Sequence, residues 1–265
     1  MVVYWMLYAV AGAFAGVLAG LLGVGGGIVI VPVLAVLFAW QGLPAEHMMQ
    51  MALGTSLASI MFTSVSSMRA HHRHGAVRWN VVKAISPGII VGTLAGSWLA
   101  SKLSSGFLKG FFVCFLYYVS VQMFLNIKPK PSRDLPGTKG IFGVGSFIGV
   151  ISALVGIGGG TLSVPFMTWC NIPMHQAVGT SAAIGFPIAV AGTVGYILGG
   201  LGKSGLPDAT LGFIYIPALI GLVIFSMMTA PTGAKIAHKL PVAKLKKVFA
   251  AFLFIMATRM LFQIL

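Results

Sequence analysis

The chain reads as an all-α polytopic membrane protein made of two inverted repeats, and three observations lead there. Of its 265 residues 58% are apolar and 8% charged, whereas a soluble domain carries about 25% charged residues. Apolar stretches close to the length of a bilayer crossing recur from end to end. A glycine cluster embedded in apolar sequence, Gly23-Val24-Gly25-Gly26-Gly27, returns 133 positions later as Gly156-Ile157-Gly158-Gly159-Gly160. Each copy runs on through four residues to a proline, Pro32 or Pro165.

Hydropathy predicts spans at 3–22, 49–68, 82–101, 108–127, 140–156, 176–199, 210–233 and 246–264, with short segments at 28–40 and 161–171. This is about eight full transmembrane helices plus two glycine-broken half-helices, because segments this short reach only about 16–20 Å as helix. A proline-rich, charged linker at 128–139 divides a first transmembrane repeat, 1–127, from a second, 140–265. The halves match again at Gly54-Thr55-Ser56 and Gly179-Thr180-Ser181, and at 96–103 against 233–240. Gene duplication is the simplest account.

Seventeen Lys and Arg face only three acids, Glu46, Asp134 and Asp208. Most of the basic residues fall in short loops, so they read as topology signals rather than as a nucleic-acid surface. The richest loops are 69–83, 128–139 and 235–247. Placing all three in the cytoplasm requires each glycine-broken pair to enter and leave on one side. The first repeat then starts outside and the second inside, which inverts them. The N-terminus has no basic region or small-residue cleavage site and does not read as a signal peptide.

No acid falls within a predicted span, and cation sites and proton relays usually depend on intramembrane carboxylates. The favoured solute is therefore a small anion. Enzymatic activity is not expected, because there is no nucleotide loop, no zinc-spaced His/Glu set and no carboxylate pair. No cofactor and no metal site is expected either. His71, His72 and His74 stand with Arg69 and Arg73 in what reads as a solvated basic loop. Cys114 and Cys170 read as buried, unpaired thiols. Tryptophans near the span ends read as interfacial anchors.

The candidate substrate-binding residues centre on Gly25, Gly26 and Gly27 and on Gly158, Gly159 and Gly160. A half-helix starting at such a cluster presents unpaired N–H groups and the positive end of its dipole at membrane depth. That arrangement holds an anion without a charged side chain; the bland alternative is tight helix crossing through small residues. Thr55, Ser56, Thr180 and Ser181 join the candidates, since hydroxyls donate to anionic oxygens, although membrane Ser and Thr also bond helix carbonyls. Arg259, well inside the last span, is read either as an anion partner or as a snorkelling anchor. His175, one turn before Gly179, is a candidate gating or proton-linked residue, with Gln50 at the matching place in the first half.

The motifs 20–27 and 153–160, each followed by Val-Pro, together with the paired Gly-Thr-Ser and the ending 244–261, resemble the sulfite exporter TauE/SafE family over nearly the whole chain. The resemblance implies a multi-pass permease of the bacterial cell inner membrane that exports sulfite or organosulfonates such as sulfoacetate. The reading is a secondary transporter working by alternating access in the lipid bilayer, with a homodimer as an allowed assembly. The alternatives are an anion channel and a non-transporting membrane assembly subunit.

Overall fold

The computed structural model describes residues 2–23, 25–125, 132–239 and 243–263. Val24, the linker residues Lys128 and Lys130, and Leu240 of the second repeated pair lie outside the described residues.

Ten α-helices follow the hydropathy closely: α1 Val2–Leu22, α2 Gly27–Trp40, α3 Met48–Arg73, α4 Trp79–Lys102 and α5 Ser105–Phe124, then α6 Thr138–Val155, α7 Gly160–Trp169, α8 Met174–Gly200, α9 Ile216–Lys239 and α10 Ala243–Phe262. Seven of the described helices are long and apolar enough to cross a bilayer. The eighth long helix, α10, is made less apolar by Lys244, Lys246, Lys247 and Arg259. The two short helices, α2 and α7, have 14 and 10 residues.

Several expected boundaries move: α3 runs on past 68 to Arg73, and α9 past 233 to Lys239. The span predicted at 210–233 starts at Ile216, because Thr210–Leu211 and Ile214–Tyr215 form a small antiparallel hairpin ahead of it. A Gly212 in the left-handed region, φ 56°, makes the turn between them.

Glycine draws the long helices together. A side chain at Gly12 of α1 would stand 2.5 Å from the carbonyl of Leu222 on α9, and Gly16, Gly20 and Gly233 close the same seam. Gly88, Gly92 and Gly96 of α4 meet α6 in the same way, and Gly145 and Gly149 of α6 meet α4. Backbone approach through small residues is the usual device where lipid removes the hydrophobic drive between helices. Around these seams α3 crosses α8, α5 lies on α10, α4 touches α8, α3 touches α9, and the short helices α2 and α7 rest on α3 and α8. Exchanging every helix for the one five places away returns this same set of pairs.

The outer surface carries large exposed apolar side chains such as Val10, Phe147, Leu198 and Ile255, a surface suited to acyl chains. Cys114 belongs to it: the thiol expected to be buried is exposed, and only Cys170 is buried. In lipid both faces of a helix are apolar, so apolar surroundings in sequence do not imply burial.

Candidate functional site

The two glycine clusters interrupt the backbone as expected. α1 stops at Leu22, and Gly23, Gly25 and Gly26 take φ of 66°, 75° and 80° before α2 begins. In the second half α6 stops at Val155, and Gly156 and Gly159 take φ of 68° and 75° before α7. Gly26 and Gly159 are the N-cap residues of the short helices, in a conformation that costs other residues roughly 1–2 kcal/mol.

The breaks abut each other. A Cβ on Gly25 would stand 3.4 Å from the Cα of Gly158, and one on Gly27 would run into the carbonyl of Gly156. Ile60 of α3 packs against Gly25 and Gly27. Among the described residues, the amides of Gly160 and Thr161 at the start of α7 make no hydrogen bond. Two half-helix N-termini, with their partial positive charge, therefore open into the buried contact between the halves.

The Gly-Thr-Ser motifs brace this contact. Ser56 Oγ donates to the carbonyl of Gly156 at 2.7 Å, and Ser181 Oγ donates to the carbonyl of Gly23 at 2.9 Å. Thr55 Oγ1 accepts from the amide of Tyr215, just before α9, at 2.9 Å. Thr180 Oγ1 accepts from the amide of Arg78, just before α4, at 3.0 Å. All four side chains are fully buried, and each hydroxyl is engaged with backbone of the opposite half. Gly54 makes room for Tyr196 and Phe213, and Gly179 for Ala76.

Two further residues serve the breaks and were not among the candidates. His71, expected in a solvated loop, is buried instead, because α3 runs on to Arg73 and carries it back into the protein. Its Nε2 lies 2.8 Å from the carbonyl of Gly20. Tyr196 of α8 donates its hydroxyl to the carbonyl of Ala153 at 2.9 Å. Gly20 and Ala153 are 133 positions apart, the same offset as the glycine clusters, and that register was the signal available in the sequence.

The remaining candidates lie away from the breaks. Gln50 is buried at the start of α3 and donates to the carbonyl of Leu103 at 2.8 Å. His175, in the first turn of α8, is exposed. Arg259 stacks over Trp40 with its Cζ 5.5 Å from the ring centroid, at the end of α2 about 20 Å from its broken start. The short helix α7 ends similarly, with Arg133 over Trp169 at 5.0 Å. Cations at these two C-terminal ends complement the negative pole of each half-helix. Beside Trp40 lies a cavity of about 250 Å³ lined by Tyr4, Trp5, Tyr8, Gln41 and Tyr215.

Ten helices among the described residues, with two broken half-helices meeting in the interior, define a multi-pass α-helical membrane protein of the transporter class. A family model described as "Sulfite exporter TauE/SafE" matches residues 8–260, and the chain belongs to that family. A probable membrane transporter protein of Haemophilus influenzae is 37% identical, covering 98% of this chain and 99% of its own. The probable membrane transporter protein YunE of Bacillus subtilis is 29% identical over 74% of this chain and 79% of its own. The archaeal probable membrane transporter protein MJ0441 of Methanocaldococcus jannaschii is 26% identical, covering 96% of this chain and 94% of its own. No solved structure matches the chain.

Proposed function

We propose that the protein exports small sulfur-containing anions, sulfite or organosulfonates such as sulfoacetate, across a bacterial inner membrane by alternating access. The observation that carries this reading is the meeting of two half-helix N-termini at the contact between the halves, with the first amides of α7 unbonded among the described residues. An anion held there is stabilised by backbone donors and by the dipole ends, with no charged side chain required. Gly25, Gly26 and Gly27 would form one wall and Gly158, Gly159 and Gly160 the other. Thr55, Ser56, Thr180 and Ser181 would hold the walls in register, from positions where a parting of the halves also frees their hydroxyls.

The reading takes 1–127 and 140–265 as inverted repeats: the exchange symmetry of the helix pairs supports the repetition, and the placement of the basic loops supports the inversion. The described glycines of both breaks are buried, as in an occluded state, and rocking one half against the other is the general route to opening such a centre. The membrane potential supplies the driving force. Expelling one negative charge from an inside-negative compartment is favoured by about 2.3 kcal/mol per 100 mV, so export needs no coupling ion.

The test is uptake of sulfite, sulfoacetate and taurine into inside-out vesicles at clamped potential. Uptake of the anions that follows the potential without sodium is expected. Uptake that ignores potential and requires sodium contradicts the electrogenic scheme.

A further inference from the structure

The two breaks share left-handed glycines at Gly23 and Gly156 and at Gly26 and Gly159, but not a lining. At the offset of 133 positions, Ser152 stands where the first half has Ala19, Thr161 where it has Ile28, and Ser163 where it has Ile30. The apolar trio belongs to the first break and the hydroxyl trio to the second.

Two of those hydroxyls have no hydrogen-bond partner among the described residues. Ser152 is fully buried, and its Oγ has no partner among the described residues. It lies 3.4 Å from the place a Cβ would occupy on Gly159, the N-cap of α7. Thr161 Oγ1, in the first turn of the same helix, is also enclosed and without a partner. Buried hydroxyls almost always find a partner, so an orphan asks for an explanation. Here two orphan hydroxyls flank a helix start whose amides are themselves unbonded. The third hydroxyl is committed elsewhere: Ser163 Oγ donates to Ser181 Oγ at 2.9 Å, and Ser181 passes on to the carbonyl of Gly23.

Building on the anion-export reading, we propose that the charged head of the solute is seated at the second break, by the hydroxyls of Ser152 and Thr161 and the amides of Gly160 and Thr161. Four donors gathered around one helix start suit an oxyanion with several acceptor oxygens, such as sulfite or a sulfonate head. A halide offers no array of oxygens for them to match. Ile148 and Ile188 close over Gly159 and must shift for the solute to enter. The bond from Ser163 to Ser181 links the seat to the first break, so occupation at α7 is felt by the other half.

The experiment compares the full-length protein with Ser152→Ala and Thr161→Val, purified in detergent and reconstituted in liposomes. Ser152→Ala installs the side chain that the first half already carries at that place, and Thr161→Val keeps the shape while removing the hydroxyl. Thermal unfolding of both variants checks that they fold. Equilibrium binding of radiolabelled sulfite is measured in detergent, and sulfite and sulfoacetate fluxes in liposomes. Each variant is expected to weaken sulfite binding about tenfold and to raise KM by a similar factor, with kcat moving less than twofold. Folded variants that bind sulfite as tightly as the unaltered protein would overturn the seat, and so would a failure of the unaltered protein to bind sulfite. If the protein binds sulfite through these hydroxyls but moves no anion in liposomes, the seat stands and the export reading fails.

Discussion

Ser56 in the first half donates a hydrogen bond of 2.7 Å to the carbonyl of Gly156 in the second. Ser181 repays the contact in the opposite direction, at 2.9 Å to Gly23. Each bond ties a long helix to the other half's broken backbone, so the pair acts as a crossed brace. Leaving such a buried carbonyl unsatisfied costs about 1–3 kcal/mol. Ser56→Ala and Ser181→Ala are each expected to lower stability by that amount, measured as denaturant unfolding in mixed micelles. Unfolding unchanged in both would mean that the brace carries no weight.

The glycine N-caps give a sharper expectation. At Gly26 a side chain would meet the carbonyl of Ala15 at 2.7 Å, and both Gly26 and Gly159 sit at positive φ. Gly26→Leu and Gly159→Leu are expected to abolish transport while the protein still inserts, read by flux against membrane-fraction content. Normal flux would reduce the breaks to packing devices.

Arg259 stacks on Trp40, far along α2 from the breaks. Its loss is expected to remove a cation–π contact of about 0.5–1 kcal/mol at an exposed site. Arg259→Gln is expected to leave the KM for sulfite within twofold and to shift unfolding slightly. A tenfold rise in KM would put Arg259 on the solute's path.

The seams separate glycines that matter from those that do not. A Cβ on Gly92 would run into the backbone of Ser146, whereas Gly110 of α5 has open space around it. Gly92→Leu is expected to destabilise the protein by several kcal/mol, as overpacking does, and Gly110→Leu to leave its unfolding within about 0.5 kcal/mol. Equal effects from the two would contradict a close α4–α6 seam.

Much of this was legible in the sequence. Helix positions follow hydropathy because lipid demands runs of fixed length, and both breaks follow from glycine's cost in a helix. The partners of Ser56 and Ser181 were not legible, since they lie 100 and 158 residues away. Local pattern could not tell a hydroxyl facing solute from one bonded to a distant carbonyl. His71 was misread because its neighbours His72 and Arg73 are exposed and its burial depends on where α3 lies. The hairpin at 210–215 was absorbed into a span because Leu211, Phe213 and Ile214 are as apolar as the helix that follows.

The most direct test is sulfite flux through the purified protein in liposomes, with Gly159→Leu as the paired control. The account predicts flux that rises with an imposed potential and disappears in the variant, although the variant is inserted to the same extent. Flux at equal rates through both, or none through the unaltered protein, would contradict it.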